Sequence, residues 1–161
     1  MAALVTSAPR LVVTDAGNDS AENITLFRSH SDTEFVVKRN PRDEARQPWL
    51  ELAKEQTGEG NHETIDRGAR AWYGETNLQL PGQQDLDKQD RITQRVVFRV
   101  IERFDDMHGQ YLLGDQLFID AYWTSLGWTP QQVHAFYEKR GTSEQYHSEL
   151  KSDMALAKAS D

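Results

Sequence analysis

The hydrophobic and polar positions of this chain fall into three regimes. At the start, Arg10 to Asp15 (RLVVTD) is a short run of β-branched residues that closes on a carboxylate, the pattern of a buried strand. AGNDS is then expected as a turn, in which Gly17 and Asn18 tolerate positive φ. Asp19 or Ser20 is placed to cap a helix over AENITLFRS, with Glu22 near enough to reach back to the cap. A second apolar run, EFVVK, predicts another strand, ended by KRNPR. This β-α-β order is the one that builds a parallel sheet with a helix across it.

The middle is strand-rich. A helix is expected over RQPWLELAKEQTG, starting at Pro48. From Gly58 to Arg91 the chain is polar, with two short strand candidates, RAWYGE and NLQL. QRVVFRVIERF then alternates, with Val96, Phe98 and Val100 facing one way and Arg95, Arg99 and Arg103 sharing the other side with Val97 and Ile101. GQYLLGDQLFIDAYWTSL extends this region. The end is helical: Thr129, Pro130 and Gln132 start PQQVHAFYEKR, which should stop near Gly141, and Thr142 with Gln145 starts a second helix.

Composition adds limits. The 161 residues suit one domain, or one core with an insertion, and the 37% hydrophobic content suits a modest core. No apolar run reaches the roughly 18 residues that span a bilayer, so no membrane partner is expected. MAALVTSAPR lacks the pattern of a secretory signal, and the chain has no cysteine for disulfides or thiolate metal sites, so a cytoplasmic location is expected. The net charge of −8 argues against nucleic-acid affinity spread over the whole surface, because that affinity comes from Lys and Arg meeting phosphates.

The chemistry-bearing pattern is YEKRGTSEQYHSELK. At about 100° per residue, a continuous helix would hold Tyr137, Arg140, Glu144 and Lys151 within an arc of roughly 60°; if Gly141 breaks the helix, Glu144 and Lys151 still share a face. An ordinary solvated helix face carries the same residue types, and spacing alone does not separate the two readings.

These four residues match, at every interval, the Tyr-x2-Arg-x3-Glu-x6-Lys signature of bacterial insertion-sequence transposases of the DDE type, and the chain resembles that family. YWTSL ahead of FYEKRG resembles the strand end and helix that lead into the catalytic glutamate. LVVTDAGNDSAEN resembles the motif around the second catalytic aspartate, and FVVKRN the strand after it. The resemblance implies an α/β fold: part of an RNase H-like domain in residues 1–47, a β-rich insertion over 48–121, and C-terminal helices over 122–161.

The implied function is metal-dependent DNA cleavage and strand transfer. Two Mg²⁺ ions roughly 3.5–4 Å apart activate the attacking oxygen and stabilise the leaving one. Asp15 and Glu144 would be the second and third metal-binding carboxylates, and Tyr137, Arg140 and Lys151 would contact transposon-end DNA. Self-association, as a homodimer or with full-length transposase, is implied as well. Fourteen residues precede Asp15 and none is acidic, so the first aspartate has no counterpart. The expectation is therefore a C-terminal fragment inactive alone. Asn18 also stands where the family often has an aromatic. The alternatives are a non-catalytic DNA- or protein-binding remnant that interferes with full-length transposase, and an unrelated acidic domain with a coincidental motif.

Three further features have two readings each. The arginines of the alternating stretch would face DNA or be ion-paired, Trp72 would stack on a base or be buried, and Lys38, Arg39 and Arg42 would meet phosphates or keep the chain soluble.

Overall fold

The computed structural model describes residues 10–41, 43–105 and 111–140. In chain order these are β1 (Arg10–Thr14), α1 (Ala21–Ser29), β2 (Thr33–Arg39), α2 (Gln47–Thr57), β3 (Glu63–Asp66), β4 (Ala69–Gln79), β5 (Thr93–Asp105), β6 (Tyr111–Thr124) and α3 (Pro130–Arg140). The fold is mixed α/β. The six strands form one sheet in the order β1-β2-β6-β5-β4-β3.

The opening β-α-β unit is present. β1 and β2 pair in parallel, with Val12 opposite Phe35, and α1 makes the crossover. Ser20 rather than Asp19 caps α1: its Oγ accepts from the Asn23 N–H, while buried Asp19 accepts from the Asn40 N–H on the far side of β2. The remaining neighbours are antiparallel, and β6 joins β2 directly, with Val37 opposite Trp123. The strands of the middle stretch therefore continue the same sheet.

The two faces follow from the alternation. On one face Val96, Phe98 and Val100 pack with Trp72, Trp123, Phe35 and Val37 under α1 and α2, which contribute Ile24, Trp49, Leu50 and Ala53. On the other, Val36, Val97 and Tyr122 meet Val133 of α3. Helices thus pack on both faces of the sheet. At α3 the expected capping box is formed: Thr129 Oγ accepts from the Gln132 N–H and Gln132 Oε1 accepts from the Thr129 N–H.

Two local expectations change. RAWYGE and NLQL are one strand, β4, paired with β5 from Ala69–Arg103 to Gln79–Thr93. Gly74, inside RAWYGE, makes room for a neighbour: a Cβ there would lie 2.6 Å from Phe98 Cζ. The polar segment Glu63–Asp66 is also a strand, held by β4 and bulged between Thr64 and Asp66. The predicted second C-terminal helix lies outside the described residues, as do Arg42, Glu144 and Lys151. Among the described residues no helix is long and apolar enough to cross a membrane.

Candidate functional site at the end of helix α3

Asp15 follows the last residue of β1. Its backbone is extended, its side chain is exposed, and Oδ1 accepts from the Gly17 N–H at 3.0 Å, capping a single 3-10 turn. The carboxylate therefore lies at the carboxyl end of a parallel strand, where open α/β sheets commonly place ligand sites.

α3 starts beside β4 and β5 and ends at this same point. The Tyr137 hydroxyl donates to the Thr14 carbonyl at 3.3 Å, one residue before Asp15. The Tyr137 ring packs on Tyr122 at 4.9 Å, and Lys38 Nζ lies 5.7 Å from its centroid. Burial pushes the Tyr137 hydroxyl pKa up, and the Asp15 charge pushes it further, against the opposing effect of Arg140. Arg140 is buried, with its guanidinium 4.2 Å from the Phe136 centroid. Of the five residues that the signature and the strand-end motif single out, the structure brings Asp15, Tyr137 and Arg140 together. Glu144 and Lys151 lie outside the described residues.

Beside Tyr137, between α3 and the sheet, is a polar network that the sequence reading did not assemble. Asp120 of β6 takes Lys38 at 3.3 Å on Oδ1 and Arg99 at 3.1 Å on Oδ2. Arg99 also lies 3.8 Å from Glu138, and Glu138 lies 3.5 Å from His134 Nε2, one helical turn before it. His134 Nδ1 is 2.9 Å from the Tyr122 hydroxyl. The sequence signal for this cluster is the His134–Glu138 spacing on one helix face.

Burial raises the Asp120 carboxyl, but Lys38 and Arg99 outweigh it and hold the group below the ordinary aspartate value. Burial drives the His134 imidazole below its ordinary value, and the Arg99 charge adds to the shift. Burial likewise drives the Tyr122 hydroxyl upward. Ligand atoms of Asp120, His134 and Glu138 lie within 4.8 Å of one another. The group already contains its cations, however, and a divalent ion there would meet Arg99 and Lys38. The arrangement is an ion-pair network.

The other candidates resolve into structural contacts. Arg95 pairs with Glu75, Arg99 with Asp120 and Arg103 with Asp66, so the arginine stripe is ion-paired. Arg39 pairs with Glu44 and lies over the rings of Trp49 and Trp123. Trp72 is fully buried, donates to the Glu59 carbonyl and has Lys54 over its ring. A cleft of about 600 Å³ opens between β4 and the start of α3, at the opposite end of the helix from Asp15. Arg95, on its wall, is held by Glu75 and the Leu126 carbonyl.

No family model matches the chain, and neither curated proteins nor solved structures yield a significant match. The functional reading therefore rests on the residues and their geometry.

Proposed function

We propose that this chain carries part of a DDE-type DNA strand-transfer domain, RNase H-like in fold, with Asp15 and Glu144 as two of its metal-binding carboxylates. The observation that carries the proposal is the Tyr137 hydroxyl on the Thr14 carbonyl. It joins the segment holding the first motif to the segment holding the second. Glu144 is four residues beyond Arg140, and at about 3.5 Å per residue those four reach at most roughly 14 Å. The reading requires this short link to return the Glu144 carboxylate to the β1 end. In this reading the strand-rich middle is the insertion, whose strands β3 to β6 extend the β1–β2 pair into one sheet through β6.

The exposed Asp15 carboxylate at a strand end is the hard oxygen donor that Mg²⁺ takes. With Glu144 it would hold the ion, which when bound would activate the attacking oxygen and stabilise the leaving one. The protein's own part is to fix the strand end against α3. Arg140 is buried in this arrangement, so its contact with a transposon-end phosphate requires the end of α3 to shift, while Lys151 would meet phosphate as a point charge.

The test uses Mn²⁺ as a paramagnetic stand-in for Mg²⁺. Resonances of Asp15, Ala16 and Tyr137 should broaden selectively, and Asp15→Asn or Glu144→Gln should weaken that broadening at least tenfold. Broadening that spares this end, or that both variants retain, overturns the proposal. A non-catalytic remnant is the second reading. Salt-sensitive binding to transposon-end DNA without metal broadening at Asp15 would select it.

A further inference from the structure

We infer that His134 is a proton-operated latch that holds α3 on the sheet when neutral and releases it when protonated. The inference stands on the seating of α3 and does not depend on which reaction the Asp15 end supports.

The helix has few apolar contacts. It contributes buried Val133 and part of Tyr137 to the cluster with Val36, Val97 and Tyr122. The rest of its inward face is polar, and His134 is its most central buried member, 5% exposed. Its ring packs between Tyr73 of β4 and Tyr122 of β6, with centroids 6.1 and 5.9 Å away. The charged groups around it are Lys38 from β2, Arg99 from β5, Asp120 from β6 and Glu138 on α3 itself. Glu63 of β3 lies behind Tyr73, hydrogen-bonded to the Tyr73 hydroxyl.

The hydrogen bonds favour the neutral ring. With its proton on Nε2, facing Glu138, the imidazole accepts at Nδ1 from the buried Tyr122 hydroxyl. A second proton on Nδ1 would make that atom a donor. The Tyr122 hydroxyl would then have to accept, and its own proton would need a new partner within the packed layer. Charge works in the same direction. The two carboxylates that could stabilise an imidazolium are already engaged, Asp120 by Lys38 and Arg99, and Glu138 in part by Arg99. An added proton leaves a surplus positive charge in a poorly solvated layer beside two cations.

Off the sheet the imidazole meets water and titrates near its ordinary value of 6.5, whereas on the sheet it titrates lower. The undocked helix therefore binds the proton more tightly. Docking is fully favoured above about pH 6.5, weakens as pH falls below it, and stops weakening once the docked ring is itself protonated. Between those two points the docking constant drops about tenfold per pH unit. Undocking would separate the Tyr137 hydroxyl from the Thr14 carbonyl and carry Arg140 away from the Asp15 end.

The test is an NMR titration from about pH 7.5 to about pH 5, reading the His134 ring and the amide protection of α3 relative to β5. The His134 ring and the amides of Val133 and Tyr137 should respond with one common midpoint below 6.5, while Val97 and Trp123 stay protected. His134→Gln retains amide hydrogen bonding without a titrating proton, and should leave α3 docked across the range. Glu138→Gln removes a carboxylate that favours the imidazolium on the sheet, so the weakening of docking should extend to lower pH before it levels off. Should His134→Gln fail to fold, the parent titration still decides the question: α3 docking should weaken about tenfold per pH unit below 6.5 in step with the His134 ring shift. An acid response that His134→Gln retains, α3 protection that falls without the ring shift, or titration at 6.5 with α3 still protected overturns the latch.

Discussion

The Tyr137 hydroxyl and the Thr14 carbonyl are separated by 123 positions in the chain and by 3.3 Å in space. The bond closes the far end of the last described helix onto the end of the first strand. It thereby places the aromatic of the helical signature one residue from the strand-end carboxylate. The significance lies in the two segments they join.

Tyr137→Phe removes this donor and leaves the ring in place. We predict a loss of about 0.5–1.5 kcal/mol in urea unfolding, the ordinary net contribution of one hydrogen bond. Amide protection should fall at the end of α3 while β5 is unchanged. A uniform loss across the sheet would mean that the bond has no local role.

Gly74→Ala should destabilise, although alanine ordinarily favours strand over glycine. The new Cβ would approach Phe98 Cζ to 2.6 Å and Gln56 Oε1 to 3.1 Å. Phe98 is fixed in the core against Trp49, at a centroid distance of 4.8 Å. Overpacking of this kind costs about 1–3 kcal/mol. A variant as stable as the parent in thermal unfolding would show that Phe98 can move freely.

Trp123→Ala should cost about 3–5 kcal/mol, since the side chain is fully buried in the larger core and lies beside the Arg39 guanidinium. Trp123→Phe, which fills part of the volume, should recover more than half of that. Equal losses in chemical denaturation would assign the effect to the Arg39 contact instead.

Asp120 governs the acid limb. Its carboxyl is held below the ordinary aspartate value of 3.8, so the unfolded chain takes up that proton first. The stabilisation is complete above about pH 4 and is lost as pH falls through the lower folded-state value. Asp120→Asn should cost about 2 kcal/mol at neutral pH, less than a fully buried pair because the side chain is 25% exposed. It should also flatten the loss below pH 4 in urea titrations. An acid limb unchanged in the variant would place the proton uptake elsewhere.

The sequence alone was sufficient wherever the determining contacts lie within a few residues. Ser20 with Asn23 and Thr129 with Gln132 make caps three residues apart, so the starts of α1 and α3 were legible. The alternation of Val96, Phe98 and Val100 against Val97 likewise divided β5 between its two faces. It also placed Tyr137 and Arg140 on one helix. The tertiary structure alone decided the rest. β4 is continuous through Gly74 because β5 pairs with its whole length, and polar Glu63–Asp66 is a strand because β4 holds it. Lys38, Arg99, Asp120, His134 and Glu138 converge from four elements, and Arg140 is buried despite its charge. The physical reason is range. Caps and periodicity act over one to four residues along the chain, whereas the network beneath α3 and the Tyr137–Thr14 bond exist only once segments distant in sequence have been packed together.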